Sequence, residues 1–356
     1  MENSNLFPWL NMIDRPAFCV KNGFVLAVNS AAEKNMIQAG TDIREIITQN
    51  RDVYDAFSNG ELFLTITAGE SSYNAHITRT DEYDIFTIEQ TDEDLQLQAL
   101  ALAAQQLRIP LSNLMLLSDR ILSNFNTDDS DTQLQIGQIN RSMYKMLRII
   151  TNMSDASSYK NTVRDEMKTI NFTAVFGEII EKVQTISKST GKELLYSGPD
   201  TVVFGLANEI KLGRAIYNLL SNALKFSPDG STIEAKMTAN RNKLSFSVSN
   251  QCMDSANASN FQSRYSRKPA IEDDRFGLGL GMTLVSSVAC AHGGTVLIDH
   301  PEANQTRVTM TIAITQDHTG VVRSPVFRIG DYTGGQDNGL LELSEILPAD
   351  LYTEIK

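Results

Sequence analysis

The chain has 356 residues, of which 42% are hydrophobic and 21% are charged, a composition typical of a folded protein with two or three cores. Its formal net charge of -12 argues against nucleic acid or an anionic membrane as the main partner, because either would need a clustered basic field. The widely spaced Cys19, Cys252 and Cys290 predict neither a zinc knuckle nor a disulfide framework. We find no apolar run of membrane-spanning length and no signal peptide, so we expect no membrane span and a cytoplasmic location.

Residues 1–91 alternate short β-rich pieces with turns. Asn22-Gly23 predicts a tight hairpin turn, because both residue types tolerate positive φ. The stretch at 30–48 reads as short helices, and three further strands follow it. Cys19 and His76 lie in predicted strands, where we expect roles in the core.

Two helices are predicted next, over about 92–126 and 131–158, with apolar residues at three- and four-residue steps. These apolar residues are Leu100, Ala103, Leu107, Leu111, Leu114, Ile121 and Phe125 in the first helix, and Ile136, Ile139, Met143, Met146, Ile150 and Met153 in the second. Two helices cannot bury both stripes without a partner, so we expect a homodimer with a four-helix bundle. The alternative is a helical hairpin packed on its own chain.

From about 161 to 315 helices and strands mix, and two motifs carry the chemistry. The run at 218–230 reads NLLSNALKFSPDG and places Asn218, Asn222 and Lys225 on one face of a helix. The second motif, FGLGLG at 276–281, precedes an apolar helical run. Its glycines allow a phosphate to approach the backbone closely at the start of a helix, where the dipole favours an anion.

Together these two segments resemble the N box and the G box of the ATP-binding domain of bacterial sensor histidine kinases, the sensors of two-component systems. The order of strands and helices in 1–91 is similar to a PAS domain. The resemblance implies an α+β multidomain protein: an N-terminal PAS sheet domain at 1–91, a helical-hairpin dimerisation bundle at 92–160, and a C-terminal two-layer α/β GHKL-type ATP-binding domain at 161–315. Residues 316–356 form a tail to which the sequence assigns no role.

The resemblance also implies a site for ATP and Mg²⁺, with Asn222 as the magnesium ligand. The implied nucleotide-binding residues are Asn218, Asn222, Lys225, Asn250, Gly277, Gly279 and Gly281. Asn250 stands where the family has an aspartate that accepts a hydrogen bond from adenine, so the charge-assisted part of that bond is lost. The segment that corresponds to the ATP lid of the family resembles that lid only at Phe261 and at 265–267. Nothing in the sequence identifies a ligand for the PAS segment.

The segment that should carry the phosphate-accepting histidine departs from the family. Gln105 and Gln106 stand where the family has the phosphoaccepting histidine and its acidic neighbour, while 107–111 keep the pattern with Pro110. A glutamine amide is neither nucleophilic nor basic near neutral pH, so the resemblance implies no catalytic residue here.

These observations favour a phosphotransfer-deficient regulator, or pseudokinase, that acts through PAS sensing and contacts of the bundle. Its partner would be a response regulator or another histidine kinase. The alternative is an ATP-dependent kinase that phosphorylates a histidine on a partner protein. An ATPase clamp like gyrase is disfavoured, because Glu209 is too remote from Asn222 to activate water there.

Overall fold

The computed structural model describes residues 7–13, 15–35, 37–69, 71–88, 103–104, 106–118, 120, 130–162, 167–240, 242–252, 280–302, 304–315 and 337–353. Gln105, Gly277, Gly279, Phe261 and the lid at 265–267 lie outside these residues. In the parts described, no helix combines the length and the apolar character that a membrane crossing requires.

The N-terminal part is an antiparallel sheet with three short helices. Its elements are β1 (Ala17–Lys21), β2 (Phe24–Val28), α1 (Ser30–Lys34), α2 (Ile43–Ile46), α3 (Arg51–Ala56), β3 (Glu61–Ala68), β4 (Ser71–Arg79) and β5 (Asp84–Ile88). The strand order is β2-β1-β5-β4-β3. The predicted hairpin is confirmed, since Asn22 and Gly23 join β1 to β2 with φ of 53° and 83°. Cys19 is buried as expected, whereas His76 on β4 is half-buried.

Two helices follow. Residues 106–118 are helical and form α4, and α5 extends over Ser130–Thr162. The two helices share a core in which Leu111 and Met115 of α4 join Met143 and Leu147 of α5. The predicted stripes are divided: one part is buried in this core, and another part, which includes Leu107, Leu114, Ile139 and Met146, is exposed.

The C-terminal half is a second sheet covered by helices. Its elements are β6 (Lys168–Asn171), α6 (Phe172–Ser187), β7 (Glu193–Ser197), β8 (Phe204–Ala207), α7 (Glu209–Phe226), β9 (Thr232–Ala239), β10 (Lys243–Gln251), α8 (Leu280–Ala291), β11 (Val296–Asp299) and β12 (Gln305–Ala313). The strands β11-β12-β10-β9-β7 lie side by side, and β6 pairs with β8 separately. Alternate residues of β10 are buried, which matches the period of two expected for a sheet with one covered face.

The two sheets are continuous, which the sequence did not predict. Within the described residues ten strands form a single mixed sheet, because β3 pairs antiparallel with β11 in the register Phe63↔Val296. Each strand would otherwise leave its backbone groups unpaired at a sheet edge, and this pairing satisfies them. Gly60 stands at the junction with a φ of 91°, and a Cβ there would overlap the carbonyl group of Ile298.

The end of the chain returns to the helices. Residues 337–353, which we name the C-terminal strap, contain α9 (Asn338–Glu342) and a 3₁₀ helix over Ala349–Tyr352. The side chains of Leu341, Leu343, Leu347 and Tyr352 are fully buried in the large C-terminal core. Part of the segment to which the sequence assigned no role is therefore an integral layer of the fold.

Candidate functional site

The helix α7 carries the polar residues of the first motif. It begins after Asn208, whose side-chain oxygen accepts a hydrogen bond from the backbone amide of Lys211 at 3.0 Å. This cap satisfies one of the amides that a helix start leaves unpaired. The helix ends at Phe226, one residue after Lys225, where a cation is favourable for the helix dipole. Most of α7 is buried, so its position relative to the sheet is fixed.

Asn218 connects the two motifs. Its side chain is buried, and its amide nitrogen donates to the carbonyl oxygen of Arg214 at 2.9 Å. Its Oδ1 atom lies beneath the first turn of α8, where a Cβ on Gly281 would be only 2.8 Å away. A glycine at 281 thus allows α7 and the start of α8 to approach each other closely. The structure brings the first motif and the described end of the second together at this contact.

Asn222 and Lys225 lie one turn further along α7. Asn222 is half-buried, which is compatible with contact to a ligand. The Nζ atom of Lys225 donates to the carboxylate of Glu345 from the C-terminal strap. The lysine that we expected to face a triphosphate is therefore paired with an internal acid.

Asn250 lies near the end of β10, opposite Thr306 of β12. It is buried, and its amide nitrogen donates to the carbonyl oxygen of Gln251 at 3.0 Å. Cys252 follows, and its sulfur lies 3.0 Å from the hydroxyl of Thr306. The side-chain oxygen of Asn250 retains the acceptor chemistry that an adenine amine requires.

His292 closes α8 and has a structural role. Its Nδ1 atom contacts the carbonyl oxygen of Val288 at 2.7 Å, and its Nε2 atom accepts a hydrogen bond from the amide of Asn208 at 3.1 Å. The ring is therefore a neutral tautomer with the proton on Nδ1. Burial lowers its pKa, against a smaller opposing effect of the bond to Val288. His292 therefore joins the end of α8 to the residue that precedes α7.

Sequence reasoning missed a buried ionic cluster between α5, α7 and the C-terminal strap. Glu342, with a fully buried side chain, lies 3.2 Å from Nε of Arg214 and 3.4 Å from Nε of Arg148. Arg148 also donates to the hydroxyl of Ser221 at 3.1 Å, and Arg214 donates to Asn152 Oδ1 at 2.6 Å. Buried charges are costly unless they are paired, so this cluster fixes α5 against α7.

The residues present fit a nucleotide in part. Gly281 lies in the first turn of a 12-residue helix, Asn222 offers an amide oxygen, and Asn250 offers an acceptor. Among the described residues no group of three or more His, Cys, Asp or Glu side chains could hold a metal ion. Asn222 would offer an amide oxygen to a Mg²⁺ ion that the phosphates also hold. Glu209 begins α7, 13 positions before Asn222, or about 20 Å along the helix.

The sequence match agrees with this geometry. Residues 207–316, which include α7, β10 and α8, match the family described as Histidine kinase-, DNA gyrase B-, and HSP90-like ATPase. The chain carries an ATPase domain of this family. The matched stretch begins at the last residue of β8 and ends just after β12.

Curated relatives extend the similarity beyond the ATPase domain. Sensor histidine kinase CusS of Escherichia coli strain K12 is 26% identical over 245 residues, which cover 68% of this chain and 48% of CusS. Sensor protein KdpD of Clostridium acetobutylicum is 27% identical over 209 residues, covering 57% of this chain and 23% of KdpD. This chain is thus similar to sensor histidine kinases, but it spans about half the length of CusS and less of KdpD.

Solved structures give a weaker likeness. Full-length ShkA in complex with AMPPNP has a TM-score of 0.48 and 17% identity, covering 62% of this chain and 46% of ShkA. Histidine kinase ThkA in complex with the response regulator TrrA has a TM-score of 0.39 and 14% identity, covering 85% of this chain and 96% of that one. The assignment of the ATPase domain rests on the sequence match and the site.

Proposed function

We propose that this protein is a phosphotransfer-deficient regulator of two-component signalling whose ATPase domain binds Mg·ATP as a signal rather than as a phosphate donor. The observation that most directly supports nucleotide binding is the contact between Asn218 and Gly281, which brings the two motifs of the ATPase domain together. Asn218, Asn222, Gly281 and Asn250, with Gly277 and Gly279, would hold the nucleotide. Asn222 would complete the coordination of Mg²⁺.

Loss of phosphotransfer is supported by α4. Gln106 is exposed on this helix, beside the position of Gln105. An exposed site suits a residue that must be reached by a transferred phosphate, but neither amide can attack phosphorus or accept the proton. The helix would therefore transmit conformation and would not carry phosphate.

Dimerisation is supported by large apolar side chains of α4 and α5 that stay exposed in the described structure. Those with more than 40% exposure are Leu107, Ile109, Leu114, Leu116, Leu117, Leu134, Ile139, Met146 and Ile149. Exposed apolar surface in this amount is typical of an interface. A second copy would cover it by forming a four-helix bundle within 92–160. A response regulator or another histidine kinase would then read the arrangement of the bundle.

The N-terminal domain is proposed to sense the signal. Its strand order and flanking helices support a PAS-like unit, and its sheet continues into the ATPase domain through β3 and β11. A ligand that prefers one arrangement of the N-terminal domain would shift the pairing of the two sheets. We propose a cytoplasmic location for this signalling.

The second candidate is an ATP-dependent kinase that phosphorylates a histidine on a partner protein. It is favoured by Asn222 and Gly281, which retain the chemistry for holding Mg·ATP. The two candidates differ in turnover. A regulator binds ATP without consuming it, whereas a kinase transfers the γ-phosphate to its partner.

Calorimetric titration with Mg·ATP tests the binding step, with Asn222→Ala as the site control. Saturable binding that Asn222→Ala abolishes supports both candidates, and no binding at millimolar ATP contradicts both. Radiolabelled ATP then separates them. The regulator should incorporate no phosphate alone or with a response regulator, and label on an added kinase bundle would establish the second candidate. The double variant Gln105→His with Gln106→Glu tests whether the remaining site can support transfer.

A further inference from the structure

The C-terminal strap brings two acids to the ATPase domain. Glu342 lies within α9, and Glu345 follows three residues later. The strap is held by hydrogen bonds from α5: Asn140 donates to the carbonyl oxygen of Tyr352 at 2.8 Å, and Arg141 donates to the carbonyl oxygens of Ser344 and Glu345 at 3.1 Å each. These bonds hold the backbone of the strap against α5.

The two acids have different environments. Glu342 is fully buried between Arg148 and Arg214, and removing it would leave buried cations unpaired. Glu345 has a side chain that is 29% exposed, and it contacts Lys225 and, at 3.5 Å, Arg148. Burial of its carboxyl raises the pKa, but Arg148 and Lys225 together outweigh burial and leave the pKa below its ordinary value. Glu342 is thus the fixed anchor, and Glu345 is the contact that another anion can displace.

Lys225 lies three residues after Asn222, on the same face of α7. A nucleoside triphosphate bound at Asn222 would bring several negative charges towards the ammonium group of Lys225. Glu345 already neutralises that group, and its carboxylate would repel the phosphates. The side chain that a triphosphate would use is therefore occupied by the chain's own acid.

We propose that the C-terminal strap is an internal ligand of the nucleotide site, which occupies Lys225 through Glu345 and weakens the binding of nucleoside triphosphates until that contact opens. This inference rests on the ATP-binding function proposed above. Coupling between two ligands of one site is reciprocal. Bound nucleotide must therefore weaken the docking of the strap by the same factor by which the docked strap weakens nucleotide binding.

A single charge change tests the inference better than truncation, which would expose the buried leucines of the strap. Glu345→Gln keeps the shape of the side chain and removes its charge. Asp350→Asn removes one negative charge from an exposed position in the same strap, five residues after Glu345, and is the matched control. Thermal unfolding of both variants verifies that they fold.

Titration of the full chain with Mg·ATP should show about 10-fold tighter binding for Glu345→Gln than for the wild type, a typical size for coupling between sites. Asp350→Asn should bind like the wild type, and Asn222→Ala should remove binding from either background. Equal affinities of the wild type and Glu345→Gln would overturn the inference while leaving the nucleotide function intact. Absence of binding in every protein, including Glu345→Gln, would overturn the proposed function and the inference with it.

Hydrogen exchange supplies a second measurement. The inference requires that saturating Mg·ATP increase amide exchange at 341–347 in the wild type, because nucleotide and docked strap compete. The Asn222→Ala variant should show no such increase. Unchanged protection of these amides in a nucleotide-saturated wild-type protein would contradict the competition.

Discussion

The side-chain oxygen of Asn218 lies so close to the α-carbon of Gly281 that a Cβ added there would be 2.8 Å from it. Asn218 cannot easily move away, because its amide nitrogen is bound to the carbonyl oxygen of Arg214 in the interior of α7. The contact joins α7, which carries the first motif, to the start of α8, where the second motif ends. It is the part of the candidate site on which both the packing and the proposed nucleotide function depend.

Gly281→Ala should therefore destabilise the ATPase domain by about 1–3 kcal/mol, the usual cost of overpacking a core, and should weaken Mg·ATP binding. Gly177→Ala is the matched control, since Gly177 lies within α6 and a Cβ there has nothing within 4 Å. The Gly177→Ala substitution should stabilise the domain by up to about 1 kcal/mol, because alanine is a better helix former than glycine. Urea unfolding of both variants measures the difference. Equal effects of the two substitutions would contradict the packing argument.

The junction between the two sheets can be tested at Gly60. Both Gly60 and Gly40 have φ near 90°, so alanine at either position carries a similar backbone strain. Only at Gly60 would the added Cβ overlap the carbonyl group of Ile298, whereas Gly40 faces open space. Gly60→Ala should therefore increase amide exchange across β3 and β11, and Gly40→Ala should not. If both variants keep protection at 296–298, the junction does not depend on this close approach.

The stability of the fold should depend on pH through His292. Burial lowers the pKa of the folded ring below the ordinary value of 6.5, which the unfolded chain retains. As pH falls below about 6.5 the unfolded state binds a proton that the folded state resists, so the free energy of unfolding decreases until the lower folded pKa is reached. Above pH 6.5 this contribution is fully present.

Urea unfolding between pH 8 and pH 5 measures this dependence. His292→Gln should lower stability at pH 8, because the bonds to Val288 and Asn208 are altered, and should flatten the decrease below pH 6.5. If the free energy of unfolding of His292→Gln falls with pH as steeply as that of the wild type, other groups cause the pH dependence.

The exposed face of α5 predicts an effect on oligomeric state. Ile139 is 56% exposed on this face, and a charge there would be buried in a four-helix bundle. Ile139→Glu should shift the protein from dimer to monomer in sedimentation velocity. Val202→Glu, at a loop residue with 59% exposure, is the matched control and should leave the dimer unchanged. A wild-type protein that sediments as a monomer at high micromolar concentration would contradict the bundle.

Local pattern in the sequence was sufficient for most elements. The 3.6-residue period of the run around Asn218 predicted α7, and the Asn22-Gly23 pair predicted its hairpin, because both depend on neighbours within a few residues. The motifs also located Asn222 and Gly281 in the domain that the family match identifies. Gln105 and Gln106, which replace the phosphate acceptor and its neighbour, were readable from the sequence alone.

Only the tertiary structure decided which distant groups meet. No local pattern pairs β3 with β11, because any two sheet edges offer the same backbone donors and acceptors. Likewise Glu345 is one of many acids in an acidic chain, and its contact with Lys225 spans 120 positions. Residue type determines what a side chain can do, and the sequence records that directly. Which partner it finds is decided by packing of the whole chain, as the pairing of Lys225 with an internal carboxylate shows.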